Sequence, residues 1–291
     1  MKGSPRERNL HWYFRLAPWP NAQQALPQGA GGAAMNGTLP TPNCIIDKVT
    51  AVHRLTVLTL NVHKGFTPLN RRFILPELRE AVRATGADLV FLQEVHGSHQ
   101  HHAERHSAWP QTPQYEFLAD SMWPQFAYGL NAAYPHGDHG NALLSKFPIR
   151  TYDNLDVSVH GDEERGLLHC QLEVPGHEQV HAICVHLGLR ENHRQRQVSL
   201  LMALLESLPP EEPVIVAGDF NDWRLKADAR LSGHLIEAFG KPARSFPARL
   251  PLLRLDRIYL RNAQTCKARV LSSYPWSHLS DHAPLVAEVT L

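Results

Sequence analysis

Four apolar runs in this chain each stop on a residue that can do chemistry. Leu55 to Leu60 stops on Asn61, and Leu89 to Leu92 is followed by Gln93 and Glu94. Ala182 to Val185 stops on His186. Val214 to Ala217 leads through Gly218 into Asp219, Phe220 and Asn221. The tripeptide Ser280-Asp281-His282 lies ten residues before the last residue. A strand buried on both faces has no use for such residues in its middle, but its end can open onto a cleft. Carboxylates there suit a hard metal ion, and imidazoles suit proton transfer.

Each residue alone has an ordinary reading. Asn61 ends strands for turn reasons, His63 and Lys64 read as loop residues, and Glu94 as a solvated terminus. A lone His186 after an apolar strand is most often structural. Gly218-Asp219-Phe220-Asn221 carries more. Gly218 lets the chain turn out of a buried strand, and Asp219 and Asn221 project to the same side of extended backbone. One can accept a proton from water while the other donates to an oxyanion. Asp256 lies inside the apolar run 253–260 and needs a partner, because a bare buried carboxylate is costly. His282 is the candidate, since a His–Asp pair fixes the imidazole tautomer and raises its basicity. That leaves Asp281 for a metal.

The elements that position these residues are read from periodicity. Strands are expected at 55–62, 88–95, 115–119, 126–132, 141–146, 166–174, 179–187, 213–218, 253–260, 267–272 and 284–290. Helices are expected at 71–85 and 190–208. In the second, Val198, Leu201, Met202, Leu205 and Leu208 form one stripe, and Pro209-Pro210 stops it. A β/α barrel would need a helix after nearly every strand. The short connection between 166–174 and 179–187 calls for antiparallel pairing. Two stacked sheets with helices outside account for the pattern, an α+β architecture. No short repeat appears, although the two halves are candidates for similar three-dimensional units.

At 291 residues, 43% hydrophobic and 20% charged, the chain can bury a large core. Its formal charge of +1 argues against holding long nucleic acid by charge alone and leaves room for one local phosphate. Cys44, Cys170, Cys184 and Cys266 show no zinc-pair spacing and no disulfide framework, which fits a reducing, cytoplasmic setting. The longest apolar runs are too short to span a bilayer, so no transmembrane segment is expected, and the N-terminus lacks an apolar signal core. Residues 1–50, rich in Pro and Gly, read as a flexible extension to a catalytic domain at 51–291, and Met35 offers an alternative start. A monomer is expected.

Together these motifs are similar to the endonuclease/exonuclease/phosphatase superfamily of DNase I-like proteins. The resemblance rests on Asn61, Gln93-Glu94-Val95, Gly140 to Pro148, His186-Leu187-Gly188, Gly218 to Asn221, Leu255-Asp256-Arg257 and Ser280-Asp281-His282, in the family's order over about residues 54–291. The stretches 61–65, 115–120 and 186–190 look closest to bacterial YbhP-type members. The segment from Gly140 looks like the family's central strand. The resemblance implies a four-layer α/β/β/α sandwich of two mixed, mainly antiparallel sheets that cleaves phosphoesters with Mg²⁺ or Mn²⁺. It implies Glu94 as principal metal ligand, Asp281 as a further one, and Asn61 near metal and phosphate. Asp219 would activate water, with Asn221 holding it or a phosphoryl oxygen. His282 with Asp256 would bind phosphate and stabilise the transition state, and His186 would protonate or position the leaving oxygen.

The family's phosphate-clamping Tyr or Arg has four candidates here, Tyr128, Asn131, His139 and Arg165, and Arg165 ranks first because a fixed guanidinium can clamp phosphate. His96, His99, His101, His102, His106, His136 and His139 crowd one segment with Trp109 and Trp123. Their spacing matches no standard zinc pattern, and a solvated loop near the cleft mouth is the favoured reading. Arg190, Arg194 and Arg196 read as a solvated helix face or as a basic rim. A small or lipid phosphoester is the expected substrate. The alternatives are DNA, cut by a Mg²⁺-dependent nuclease, and a non-catalytic binding module on the same scaffold.

Overall fold

The computed structural model describes residues 53–159 and 163–291, so the expectation for residues 1–50 lies outside the described residues. Strands β1 (Arg54–Asn61), β2 (Leu89–His99), β3 (Gln125–Tyr134), β4 (Gly137–Ser145), β5 (Ile149–Asp156), β6 (Gly166–Val174), β7 (His177–His186) and β8 (Val214–Asp219) are followed by β9 (Ile236–Glu237), β10 (Asp256–Arg261), β11 (Gln264–Val270) and β12 (Leu285–Thr290). They form two six-stranded sheets, ordered β11-β12-β1-β2-β4-β3 and β5-β6-β7-β8-β10-β9.

Both sheets follow one plan. Each has a single parallel pair at its centre, β1 with β2 and β7 with β8, and every other pairing is antiparallel. The halves are therefore similar units, as expected, although no sequence repeat announces it. Alternation along the strands divides the core into layers. Leu55, Val57, Leu89, Phe91, Cys170, Cys184, Ala217 and Ile258 pack between the sheets. On the outer face of the first sheet, Leu58, Leu60, Val90 and Leu92 meet helices α1 (Leu75–Ala84) and α3 (Gln114–Ala119). Between these two lies the short α2 (Gln100–Arg105). On the second sheet, Ile183, Val185 and Val216 meet α4 (Glu191–Ser207) and α5 (Lys226–Leu231). The short α6 (Trp276–Leu279) closes the first sheet's outer layer. The four-layer α/β/β/α sandwich is present.

Several expectations are corrected. Residues 115–119 form most of α3, not a strand. A stretch of five residues has no decisive period, and here Gln114, Leu118 and Ala119 turn to one buried side. Strand β5 was not anticipated, because its exposed edge position carries RTYDNLD, with no apolar alternation. The strand beginning near Gly140 is β4, which lies between β2 and β3, one place from the sheet edge.

Gly218 shows how tightly the layers close around the cleft. Its φ is +152°, and a Cβ there would lie 1.9 Å from the Val185 carbonyl oxygen of the neighbouring strand. Gly218→Ala is expected to cost about 3 kcal/mol or more by overpacking, read as a lower denaturant midpoint. An unshifted midpoint would refute the crowding.

Candidate active site

Register decides which side chains meet. At the ends of the two parallel pairs, Asn61 stands opposite Gln93 on β1/β2, and His186 stands opposite Asp219 on β7/β8. Across the antiparallel partner, Asp256 stands opposite Asp219. The two central strand ends converge across the sandwich, and the Asn61 amide bridges them. Its Nδ2 donates to Glu94 Oε1 and to Asp219 Oδ2, both at 3.2 Å. Asn61 is itself held by Ser280, whose hydroxyl donates to the Asn61 carbonyl at 2.7 Å and accepts from His282 N at 3.2 Å.

Glu94 does not end its strand. β2 runs on to His99, and the register shifts between Leu92 and Val95, with Glu94 at φ +55°. This bulge takes the carboxylate out of the ladder. Burial alone would raise its pKa. The surrounding His186, Lys64, Asn61 amide and His63 outweigh that and hold the carboxyl at about 2. Asp281 Oδ2 lies 3.4 Å from His63 Nδ1, and Glu94 Oε2 lies 4.0 Å from the same nitrogen. His63 and Lys64, read from sequence as loop residues, are thus part of the site. Both take left-handed φ in the turn after β1, which folds them back over Glu94. The signal available was Gly65 just beyond them, at φ +80°.

Asp219 is buried, with Oδ1 accepting from Asn221 N at 2.9 Å. His186 Nε2 and His282 Nε2 lie 3.7 and 3.8 Å from its Oδ2. Burial, helped by Asp256, raises Asp219 to about 6 even though His282 opposes the shift. The expected His282–Asp256 pair is formed, with Nδ1–H donating to Asp256 Oδ2 at 2.9 Å. Burial disfavours the His282 charge, but Asp256 and Asp219 outweigh it and hold the imidazolium up at about 10. His186 is driven well below its ordinary value by burial and by Arg165, so it is a neutral imidazole. Asn221 uses one amide hydrogen on the Leu187 carbonyl at 2.9 Å. Behind the pair, the Ser245 hydroxyl accepts from Asp256 N at 3.1 Å. The buried Arg257 guanidinium donates to the carbonyls of Asp256 and Asp222.

These side chains line a cleft of about 420 Å³. Its walls include Glu94, Arg165, His186, Asp219, Asn221, Asp281 and His282. Of the four clamp candidates Arg165 alone lines this cleft. Tyr128 is tied to Asp138 at 2.6 Å and Asn131 to Asn154 at 3.2 Å. Arg165 is fixed by the carbonyls of Leu187 and Glu164 and by Glu163 at 3.3 Å. The apolar part of the lining was not foreseen: Leu189, Trp223, Phe246, Leu253 and Leu255. Arg194 does not contribute to a basic rim. It is 2% exposed and donates to the carbonyls of Gly188 and Leu189 and to Glu191, fastening the loop after His186 onto α4.

Glu94 and Asp281, both lining the cleft, bring carboxylates to the His63 imidazole, with Asn61 beside them, a donor set suited to a hard divalent cation. Two face-packed sheets thus carry carboxylates and imidazoles together at their strand ends. The Endonuclease/Exonuclease/phosphatase family model matches residues 58–282, and the chain belongs to that family, whose members hydrolyse phosphoesters and generally use divalent metals. The chain is 56% identical over 242 residues to the uncharacterized protein YbhP of Escherichia coli K12, covering 81% of this chain and 96% of that one. An endonuclease/exonuclease/phosphatase from Beutenbergia cavernae superposes with a TM-score of 0.66 at 20% identity, over 82% of this chain and 72% of that one. The zebrafish (D. rerio) TDP2 complexed with single strand DNA product gives 0.59 at 17%, over 81% and 98%. Among the described residues no helix is long and apolar enough to cross a membrane.

Proposed function

We propose that this chain is a divalent-metal-dependent phosphoesterase acting on a small or lipid phosphoester in the cytoplasm. The observation that carries the substrate reading is the mixed lining of the cleft. Beside its carboxylates and imidazoles the cleft is lined by Leu189, Trp223, Phe246, Leu253 and Leu255, which suits a phosphate bearing an apolar group. A nuclease would be better served by a basic rim, and Arg194, one candidate for it, is engaged in the backbone.

Glu94 and Asp281, with Asn61 beside them, would hold Mg²⁺ or Mn²⁺, which when bound would stabilise charge on the phosphoryl oxygens. Asp219 accepts the proton of the attacking water. Asn221 orients that water or a phosphoryl oxygen with its remaining amide hydrogen. His282, charged and fixed by Asp256, donates to a phosphoryl oxygen as negative charge grows there. Arg165 supplies a second fixed cation. His186, being neutral, positions the leaving oxygen and does not act as a strong acid.

The test is a panel assay on chelator-treated protein with Mg²⁺ or Mn²⁺ restored, using bis-p-nitrophenyl phosphate, phospholipids, plasmid DNA and abasic duplex. Activity is expected to require the metal, to favour the lipid or the small ester, and to fall about 100-fold or more in Glu94→Gln. Trp223→Ala should raise KM for the phospholipid while sparing the small ester. Hydrolysis that survives chelation would sink the mechanism, and preferential cleavage of DNA would transfer the substrate reading to the nuclease alternative.

A further inference from the structure

The histidine-rich segment is not the solvated loop its composition predicts. β2 continues through His96 to His99, and α2 starts one residue later, so His96, His99 and His102 follow one another at intervals of three across a strand-to-helix corner. One donor nitrogen from each lies within 4.8 Å of the others. His96 is 1% exposed. Its Nδ1 lies 2.8 Å from the Asp138 carbonyl, which can only accept, so Nδ1 carries the proton and Nε2 is left as a bare lone pair. That Nε2 is buried and has no hydrogen-bond partner, and the same holds for His102 Nδ1. Buried polar atoms are almost always satisfied, so two bare ring nitrogens in one cluster call for a ligand.

We propose that His96, His99 and His102 form a second metal site, specific for a borderline ion such as Zn²⁺ and separate from the carboxylate centre at Glu94. Three imidazoles without a carboxylate select zinc-like ions over Mg²⁺. A backbone carbonyl holding one ring N–H while the other nitrogen points free is the usual outer support of a metal-bound histidine. Zn–N bonds of about 2.1 Å set tetrahedral donors about 3.4 Å apart, a modest contraction that the partly exposed His99 and His102 rings can supply. His99 must exchange the long 3.3 Å bond that its Nδ1 accepts from His102 N for the ion. An apolar collar surrounds the site: Trp109 stacks on His102 at 5.2 Å, and Phe66 lies 5.0 Å from the same ring. Bound metal would pin α2 to β2 two residues beyond Glu94 and fix the shape of that side of the cleft.

The test uses full-length, tag-free protein stripped by chelator and titrated with Zn²⁺ in excess Mg²⁺. One equivalent should bind and change tryptophan fluorescence, because Trp109 lies against His102. Co²⁺ should give visible absorption of a tetrahedral centre. His96→Ala should weaken binding at least about 10-fold, as should the double variant His99→Gln/His102→Gln. The double variant changes partly exposed positions and decides the matter if His96→Ala fails to fold. Glu94→Gln and His282→Gln should leave this equivalent in place, whatever becomes of hydrolysis. No zinc bound in excess Mg²⁺, zinc retained by the double variant, or zinc lost only in the Glu94 or His282 variants would each overturn the site.

Discussion

Asp219→Ala is expected to lower kcat by roughly 10²- to 10⁴-fold, the range for loss of a positioned general base. Asp219 faces His186, His282 and the Asn61 amide, with Asp256 behind His282. Burial holds its pKa up at about 6, close to working pH, where a base is strong enough to take a proton yet still ionised. The rate needs the ionised form, so it should fall as pH drops through about 6. Asp219→Asn separates chemistry from packing, because it keeps the shape and removes the base. The folded state binds the Asp219 proton more tightly than the unfolded chain does, so its contribution to stability is present at low pH and lost as pH rises through about 6. The Asn variant should therefore melt no lower than wild type at pH 7 while being nearly inactive. An Asn variant with near-normal kcat would remove Asp219 from the mechanism.

How much of this was legible before the fold depends on the kind of signal. Asn61, His186 and Asp219 were readable because an apolar run that stops on a polar residue marks a strand end, and register then brings such ends together. Glu94 was found by the same rule although it sits on a bulge, because Val95 and His96 beyond it are also buried and carry the strand onward. Asp256 was expected inside its strand and instead begins β10, since the run from Leu252 to Leu255 forms the approach to the strand.

The residues missed share a different character. His63 and Lys64 have no periodic context, and only a left-handed turn returns them to the cleft. Trp223 and Leu253 are apolar but partly exposed, and a sequence does not say which apolar residues the fold leaves out of the core. The histidine segment misled for the opposite reason: polar composition suggested solvent, yet the ring of Phe66, Phe73 and Trp109 packs its imidazoles as it would pack phenyl groups.

The Asp256–His282 pair should behave as one unit. Asp256 Oδ2 accepts the imidazole Nδ1–H at 2.9 Å, Ser245 accepts from the Asp256 backbone, and Phe246 packs 5.0 Å from the ring, so neither side chain has another place to go. Removing His282 takes away the cation beside the phosphoryl oxygens. Removing Asp256 leaves the imidazole in place but without the carboxylate that fixes its tautomer and sustains its charge. Each single change to Ala is expected to lower kcat about 10²- to 10³-fold, the scale measured for one charge-stabilising donor. The double change should cost little more than either, because the second substitution removes nothing that still works. Asp256→Asn keeps the volume and offers the wrong hydrogen-bond partner, so it should resemble Asp256→Ala in kcat while folding normally. A generic phosphodiester suffices for the cycle, which makes the result independent of the natural substrate. Strictly additive losses, or near-full activity in either single variant, would show that the two residues act apart and that the charge opposing the phosphate comes from Arg165 instead.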